Sequence, residues 1–349
     1  MQIGQGLMKN SEKSYLINNK KIKLIYAIGL LFFVVAFLIG ILLGSTGITL
    51  LDIVDLFTKG IGSVGTRIIF YVRLPRTLAA LFCGAALALS GAVIQSVLAN
   101  KLASPSVIGV NSGAGLAVTL CTALGIYGGF RLSLFSFAGA FLAVMVVSLG
   151  AKKWGASRST VILMGVALNS LLSAVSDAIV TFVPEVGVMS NDFKVGEFSA
   201  ITYQKLIPAA LLIAMSIVVL ISLHNQLEVL SLGEDSAKGL GMNTGRMRFL
   251  FLLFAALLAG TAVSLAGLLS FVGLIVPHAV RRIAGNGAFH VMTLCALFGA
   301  SFVCICDTAA RVLFAPYEIP VGIIMAFLGA PFFLFILIKG RGGNRHDRA

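Results

Sequence analysis

Long apolar stretches separated by short polar ones run along almost the whole chain. Crossing the hydrocarbon core of a bilayer, about 30 Å thick, takes about 20 apolar residues of helix. Segments of about this length lie at 24–44, 78–98, 107–127, 132–149, 160–183, 206–223, 249–269, 291–312 and 321–338. A tenth apolar segment, 271–284, is short, contains Pro277 and ends in Arg281 and Arg282, which predicts a broken or half-length helix. The pattern therefore predicts an all-α, polytopic membrane protein with about ten transmembrane helices.

Basic residues between the apolar stretches predict the orientation of these helices, because Lys and Arg are enriched in cytoplasmic loops. Ten crossings put both basic ends of the chain, and most of its 26 Lys and Arg residues, on one side of the membrane. Nine crossings would put one basic end on the opposite side. We therefore expect a cytoplasmic N-terminal tail at 1–23, a transmembrane domain at 24–338 and a cytoplasmic C-terminal tail at 339–349.

The composition is typical of a membrane protein and indicates which partners to expect. The chain is 58% hydrophobic and only 11% charged, against about a quarter charged in soluble domains. Its net charge of +13 could suggest nucleic acid, but the basic residues form short clusters between apolar stretches, where they face anionic lipid. The five cysteines all lie in apolar segments and the four histidines are scattered. We therefore expect a lipid membrane as partner, no nucleic acid, no disulfide and no metal site.

Polar residues at membrane depth are the first candidate functional groups, since they are costly there unless they face the protein interior or water. The candidates are Gln95 in the second span, Asn111 and Ser112 in the third, and Asn169, Ser173 and Asp177 in the fifth. They either line an aqueous path or make hydrogen bonds between helices, and their positions do not distinguish the two. Asp307 and Arg311 are four residues apart, which predicts an ion pair within one helix.

The polar loop at about 227–248 is the second candidate. Its segment Ser231 to Leu240 predicts a short amphipathic helix ended by Gly241, which either covers the ends of the spans or forms a docking surface. The chain has no G-x-x-x-x-G-K-[ST] phosphate-binding motif and no cluster of catalytic side chains. We therefore expect no enzymatic activity and no bound cofactor. Energy for transport would come from an ion gradient or from another subunit.

Several motifs resemble those of a known family. Residues 73–81 (RLPRTLAAL), 84–91 (GAALALSG) and Gln95 resemble the second-helix signature of the FecCD family, the permease subunits of ABC importers for iron-siderophores, haem and vitamin B12. Further matching motifs follow in the family's order: 102–105 (LASP) with 109–115 (GVNSGAG), 230–234 (LSLGE), 271–278 (FVGLIVPH), and 320–322 (PVG) with 329–333 (GAPFF). The resemblance covers nearly everything after Leu24.

The resemblance implies a type II ABC importer permease fold, with two identical or homologous subunits around a central path in the bacterial cytoplasmic membrane. It implies three outward-facing arginines that meet acidic residues of an extracytoplasmic substrate-binding protein: Arg73, Arg76 and Arg311. It implies a coupling helix, docked in a groove of a partner ATPase dimer, that includes Leu230, Ser231, Leu232, Gly233, Glu234, Ala237, Leu240 and Gly241. It implies an inner gate near Arg158, Ser159 and Thr160.

The function implied by the resemblance is a permease that binds no ATP and imports an iron-chelate when its partner ATPase hydrolyses ATP. The chain departs from the family pattern at Lys101, where proline is usual, and at Phe193 and Glu197 in an outer segment. Two other function classes stay open. One is a secondary transporter in which Asp177 carries the coupling ion, and the other is a membrane-embedded enzyme.

Overall fold

A computed structural model describes residues 2–44, 47–48, 50–154 and 157–342, and all regular structure within these ranges is helical. The helices are, in chain order, α1 (Gln2–Leu42), α2 (Leu50–Thr58), α3 (Val64–Ile68), α4 (Leu74–Val97), α5 (Val110–Ala123), α6 (Gly129–Lys153), α7 (Arg158–Phe182), α8 (Pro184–Val195), α9 (Tyr203–Ser222), α10 (His224–Ser231), α11 (Glu234–Gly239), α12 (Thr244–Ala266), α13 (Val272–Ala284), α14 (Ala288–Val312) and α15 (Val321–Gly342). A π-helical turn, Ile69–Arg73, joins α3 to α4, and a 3₁₀ turn, Pro105–Ile108, precedes α5.

The predicted apolar segments all fall on helices. Seven stretches in the described part of the chain are long and apolar enough to cross a membrane: Lys20–Leu42 of α1, Val64–Val97 through α3 and α4, and helices α6, α7, α9, α12 and α14. Helix α5 and the Val321–Phe335 part of α15 are shorter apolar helices. Segment 271–284 is a short helix with Pro277 inside it, as predicted. At 13 residues it spans about 20 Å, so a count of ten crossings stays a prediction.

Helix α4 lies at the centre of the bundle. Of the most apolar 18 residues in the stretch Val64–Val97, 89% are buried. Helix α4 packs against α9, α12, α13 and α14. Its interior is dominated by Gly, Ala and Ser, and small residues let helix backbones approach closely in a membrane. A Cβ atom at Gly84 would collide with the carbonyl oxygen of Gly299 in α14, and one at Gly91 with that of Gly273 in α13. These two glycines therefore set the spacing of α4 from both neighbours.

The bundle has two ends, which we name after the predicted orientation. The outer end contains the C-terminal ends of α1 and α14 and the start of α4, joined by side-chain hydrogen bonds. The inner end contains α10 and α11, the starts of α7 and α12, and the C-terminal ends of α4 and α13. The outer end contains the predicted docking arginines and the inner end contains the predicted coupling helix.

Replacing Gly84 by alanine should destabilise the protein, although alanine is the better helix former by about 1 kcal/mol. The added methyl group meets backbone of α14, which cannot move aside without separating two packed helices. Overpacking of this kind costs about 1–3 kcal/mol. The five buried free cysteines allow unfolding in detergent to be followed with a thiol-reactive dye.

Gly115→Ala in α5 is the matched control, because a Cβ atom there has no neighbour within 4 Å. It should leave the unfolding temperature unchanged or raise it. Equal unfolding temperatures for Gly84→Ala and the native protein would contradict the close α4–α14 packing.

Candidate functional site

Arginine side chains cap the C-terminal end of α1. Arg73 and Arg311 together donate hydrogen bonds to the four consecutive carbonyl oxygens of residues 40–43, over N···O distances of 2.6–3.2 Å. Carbonyls in the last turn of a helix have no partner within that helix, and cations are favoured there by the helix dipole. The two guanidinium groups therefore satisfy the end of α1 and fix it to α4 and α14.

Asp307 in α14 joins these arginines into one network. Its carboxylate accepts from Arg76 at 3.0–3.2 Å and pairs with Nε of Arg311 at 3.1 Å. Arg76 also pairs with Glu318 at 2.7 Å, which reaches the connection between α14 and α15. Asp307 is 1% exposed. The predicted Asp307–Arg311 pair is confirmed, while Arg76 is a second cation on the same carboxylate that the spacing did not indicate.

The three arginines that were predicted to dock a binding protein are buried in this structure. Arg73, Arg76 and Arg311 are 3%, 7% and 2% exposed. Their guanidinium groups point into the protein because the end of α1 and the buried carboxylate of Asp307 supply acceptors there. In this structure these side chains hold the outer end together, and their contact with a docked protein stays a prediction.

The predicted coupling helix is two helices rather than one. Helix α10 ends at Ser231 and α11 begins at Glu234. Gly233 between them has φ +117° and ψ 159°, a conformation outside the helical region that favours glycine. The prediction of a continuous helix from Ser231 to Leu240 is therefore wrong. Gly241, with φ +79°, follows the end of α11 as predicted.

The segment from Leu230 to Gly241, which we call the coupling segment, has an anchored face and a free face. Leu230 and Ala237 are fully buried. Leu232 and Leu240 are 64% and 67% exposed, so they project from the protein as apolar side chains. Ser231 and Gly241 are exposed as well, and Gly233 is partly exposed. The predicted coupling residues therefore divide into those that hold the segment and those that another protein could contact.

Glu234 is one of the residues that hold the segment in place. Its carboxylate pairs with Arg248 of α12 at 2.8 Å and with Lys238 at 3.3 Å. Burial raises the pKa of Glu234, but hydrogen bonds and charge from Arg248 and Lys238 outweigh this and lower it below the usual 4.5. Arg248 was not among the predicted coupling residues, because nothing in the sequence pairs two charges that lie 14 residues apart.

Arg158 forms the second anchor of the coupling segment. It is the first residue of α7, and its Nη2 donates to the carbonyl oxygen of Leu230 at 2.9 Å. Helix α7 begins here because the Ser157 hydroxyl accepts a hydrogen bond from the backbone N–H of Thr160. Ser159 and Thr160 are exposed beside it. The predicted gate residue Arg158 therefore touches the coupling segment directly, a contact that the sequence did not indicate.

The polar residues predicted to line a path separate into two groups. Gln95 is only 4% exposed and donates through Nε2 to the carbonyl of Gly273 at 3.0 Å. Asn169 donates to the carbonyls of Ser106 and Val107 at 2.9 and 3.2 Å, and its oxygen accepts from Ser112. These side chains join helices. A role of Gln95, Asn169 and Ser112 in lining a path stays a prediction.

The second group lies on α7, in which only 11% of the most apolar 18 residues are buried. Ser173 and Asp177 are both exposed on it, whereas Asn111 is partly buried on α5. A carboxylate at membrane depth is costly when it faces lipid. The α7 face with Ser173 and Asp177 therefore has to be covered by water or by another protein surface.

These features define a class: a helical, multi-pass membrane protein with a polar helix face and an anchored segment at its inner end. The sequence matches the model of the FecCD transport family over residues 31–339. The Fe(3+)-citrate import permease YfmD of Bacillus subtilis is 35% identical, over 91% of this chain and 95% of that protein. The Iron(3+)-hydroxamate import permease FhuG of the same organism is 32% identical, over 90% and 97%. The chain belongs to the FecCD transport family.

A solved structure agrees with this assignment. It was reported as an inward-facing conformation of a metal-chelate type ABC transporter, and it superposes on this chain with a TM-score of 0.81. The two sequences are 30% identical, and the match covers 91% of this chain and 99% of the other. The fold is therefore that of an ABC importer permease.

Asp307→Asn should destabilise the protein strongly. The substitution leaves the buried charges of Arg76 and Arg311 without their shared carboxylate, and breaking a buried ion pair costs about 3–5 kcal/mol. Asp55→Asn is the matched control, since its pair with Lys59 lies at the surface and is worth at most about 1 kcal/mol. Thermal unfolding in detergent measures both. Similar losses for the two variants would show that the outer-end network does not hold the fold.

Proposed function

We propose that this chain is the transmembrane permease subunit of an ATP-driven importer that carries an iron-chelate across the bacterial cytoplasmic membrane. Membership of the FecCD family along almost the whole chain is the observation that supports this most directly. The named relatives import ferric citrate and ferric hydroxamate, and the solved neighbour is of metal-chelate type. Under this proposal an extracytoplasmic binding protein delivers the substrate and both termini lie in the cytoplasm.

The coupling segment is the proposed contact with a partner ATPase dimer, which would bind and hydrolyse the ATP. Its exposed Leu232 and Leu240 offer apolar side chains of the kind that a groove in another protein can bury. Its two anchors lead to different helices. Glu234 pairs with Arg248 at the start of α12, and Leu230 accepts from Arg158 at the start of α7. Displacement of the segment by the ATPase would therefore reach α7 and α12 together.

Helix α7 is the proposed wall of the translocation path. Its exposed hydroxyl and carboxyl groups, including Ser173 and Asp177, lie on a surface that the described part of the chain leaves exposed. A second permease subunit, identical or homologous, would face it across the path. Movement of α7 through Arg158 then links the inner end, where ATP is used, to the surface past which the chelate moves.

Transport by the reconstituted complex tests this function. The permease is inserted in liposomes with a candidate ATPase and binding protein, and uptake of radioactive ferric citrate or a ferric hydroxamate is measured. Uptake should require the binding protein, the ATPase, and ATP on the side of the membrane where the ATPase lies. Asp177→Asn should leave the requirement for ATP unchanged.

An ion-coupled secondary transporter is the rival function, because Asp177 is the exposed carboxylate on the α7 face. It predicts uptake by the permease alone when only a pH gradient is imposed, and loss of that uptake in Asp177→Asn. That result would overturn the proposal of an ATP-driven permease.

Arg158→Met should uncouple transport from ATP hydrolysis. Methionine keeps much of the side-chain volume but cannot donate to the carbonyl of Leu230, so α7 loses its tie to the coupling segment. The amount of substrate imported per ATP hydrolysed should fall several-fold while the ATPase still binds. Lys153→Met, an exposed cation at the same end of the molecule, is the control and should leave this ratio unchanged. Normal coupling in Arg158→Met would exclude this contact as a link.

A further inference from the structure

An open polar cavity of about 290 Å³ lies at the inner end, between α4, α10, α13 and α14. Its wall includes two cationic side chains, Lys101 and Arg281, and no acidic one. Three amides and two hydroxyls complete the polar part of the wall: Gln95, Asn100, Asn286, Ser96 and Ser231. The cavity is therefore positively charged and rich in hydrogen-bond donors.

Arg281 is partly buried and lacks a counter-charge. Its hydrogen bonds, to the carbonyl of Ala92 at 3.1 Å and to the hydroxyl of Ser96 at 3.2 Å, both use Nη2. No carboxylate of the described residues forms a salt bridge with it. Arg76, Arg248 and Arg311 each have a carboxylate partner, whereas Arg73, which is 3% exposed, donates to backbone carbonyls at the end of α1. Burying a cation without an anion is costly, so Arg281 favours an anion in the cavity.

The start of α14 also favours an anion in the cavity. Asn286 and Ala288 line the cavity, and the N-cap residue Gly287 has no side chain that could accept from the first-turn N–H groups. The N-terminal end of a helix carries a partial positive charge, and its free N–H groups bind phosphate and similar anions. Two side-chain cations and the start of a 25-residue helix therefore converge on one space.

We propose that this cavity binds a phosphate group, held by Arg281, Lys101 and the first turn of α14. The rest of its wall is apolar and includes Leu227, Val291 and Met292. A phosphate carried on an anionic lipid headgroup would use both parts, and basic pockets between helices on the cytoplasmic side bind such headgroups. Free phosphate shares the anionic chemistry, and the two sources are separated by experiment.

The site adjoins the coupling segment but does not depend on the proposed transport function. Leu227 of α10 and Ser231 line the cavity, so a bound phosphate would contact the chain just before the exposed Leu232. Lys101, one of the two cations, is also a departure from the usual family pattern. The second cation of the site, Lys101, therefore distinguishes this chain from the usual family pattern.

Binding is measured on the purified full-length chain. Native mass spectrometry compares retention of phosphatidylglycerol with that of phosphatidylcholine, and calorimetry measures binding of inorganic phosphate. Preferential retention of phosphatidylglycerol would assign the site to a lipid headgroup, and saturable binding of inorganic phosphate without that preference would assign it to free phosphate. Lys101→Gln and Arg281→Gln should each weaken binding about tenfold or more, as expected for loss of a hydrogen bond to a charged group.

Arg282→Gln is the control, because it removes the same charge from the adjacent, exposed residue, which does not line the cavity. Its binding should equal that of the native chain. Lys101 is exposed and makes no hydrogen bond in the described structure, so its variant remains informative if Arg281→Gln fails to fold. Binding of neither probe, unchanged binding in Lys101→Gln, or an equal loss in Arg282→Gln would overturn the proposal.

Discussion

A single carboxylate, that of Asp307, holds the outer end of this membrane protein together. It binds Arg76 of α4 and Arg311 of its own helix, and Arg311 in turn caps the end of α1. Removing a carboxylate and a guanidinium from water costs more than their attraction returns unless the geometry is excellent and the remaining donors are satisfied. Here the remaining donors bind Glu318 and the backbone carbonyls of α1. The network therefore specifies how three helices meet.

The inner end is built differently, and the difference fits a site of movement. Besides the buried Leu230 and Ala237, the contacts that hold the coupling segment include an ion pair, in which Glu234 is partly exposed, and a hydrogen bond from Arg158 to a carbonyl oxygen. Contacts of this kind are weaker than buried, fully paired ones. Helix α4 connects the two ends as a closely packed rod whose spacing is set by Gly84 and Gly91. Under the proposed function, a displacement applied to the coupling segment would reach α7 and α12 through its contacts with Arg158 and Arg248.

Sequence patterns predicted what depends on neighbouring residues along the chain. Segment length and hydropathy located the apolar helices, the four-residue spacing located the Asp307–Arg311 pair, and glycine located the end of α11. They did not predict contacts between distant segments. Arg76 lies 231 residues from Asp307, and Arg158 lies 72 from Leu230. The partner of Gln95 was not predicted for the same reason, since Gly273 is 178 residues away. The break at Gly233 did have a local signal, a glycine within the predicted helix.

The exposed face of α7 supports the proposal that the chain works as part of an assembly. Asp177 cannot face hydrocarbon at low cost, and the described part of this chain leaves it exposed. A homologous subunit and an aqueous path would solve this problem together, because each would cover part of the face. The exposed residues of α7 also include large apolar side chains such as Leu171 and Phe182, so such a path would have few charges on this side. Conduction requires sites that bind weakly enough to release what enters. Under the proposed function, a path with few charges suits passage of a bulky chelate that a binding protein delivers.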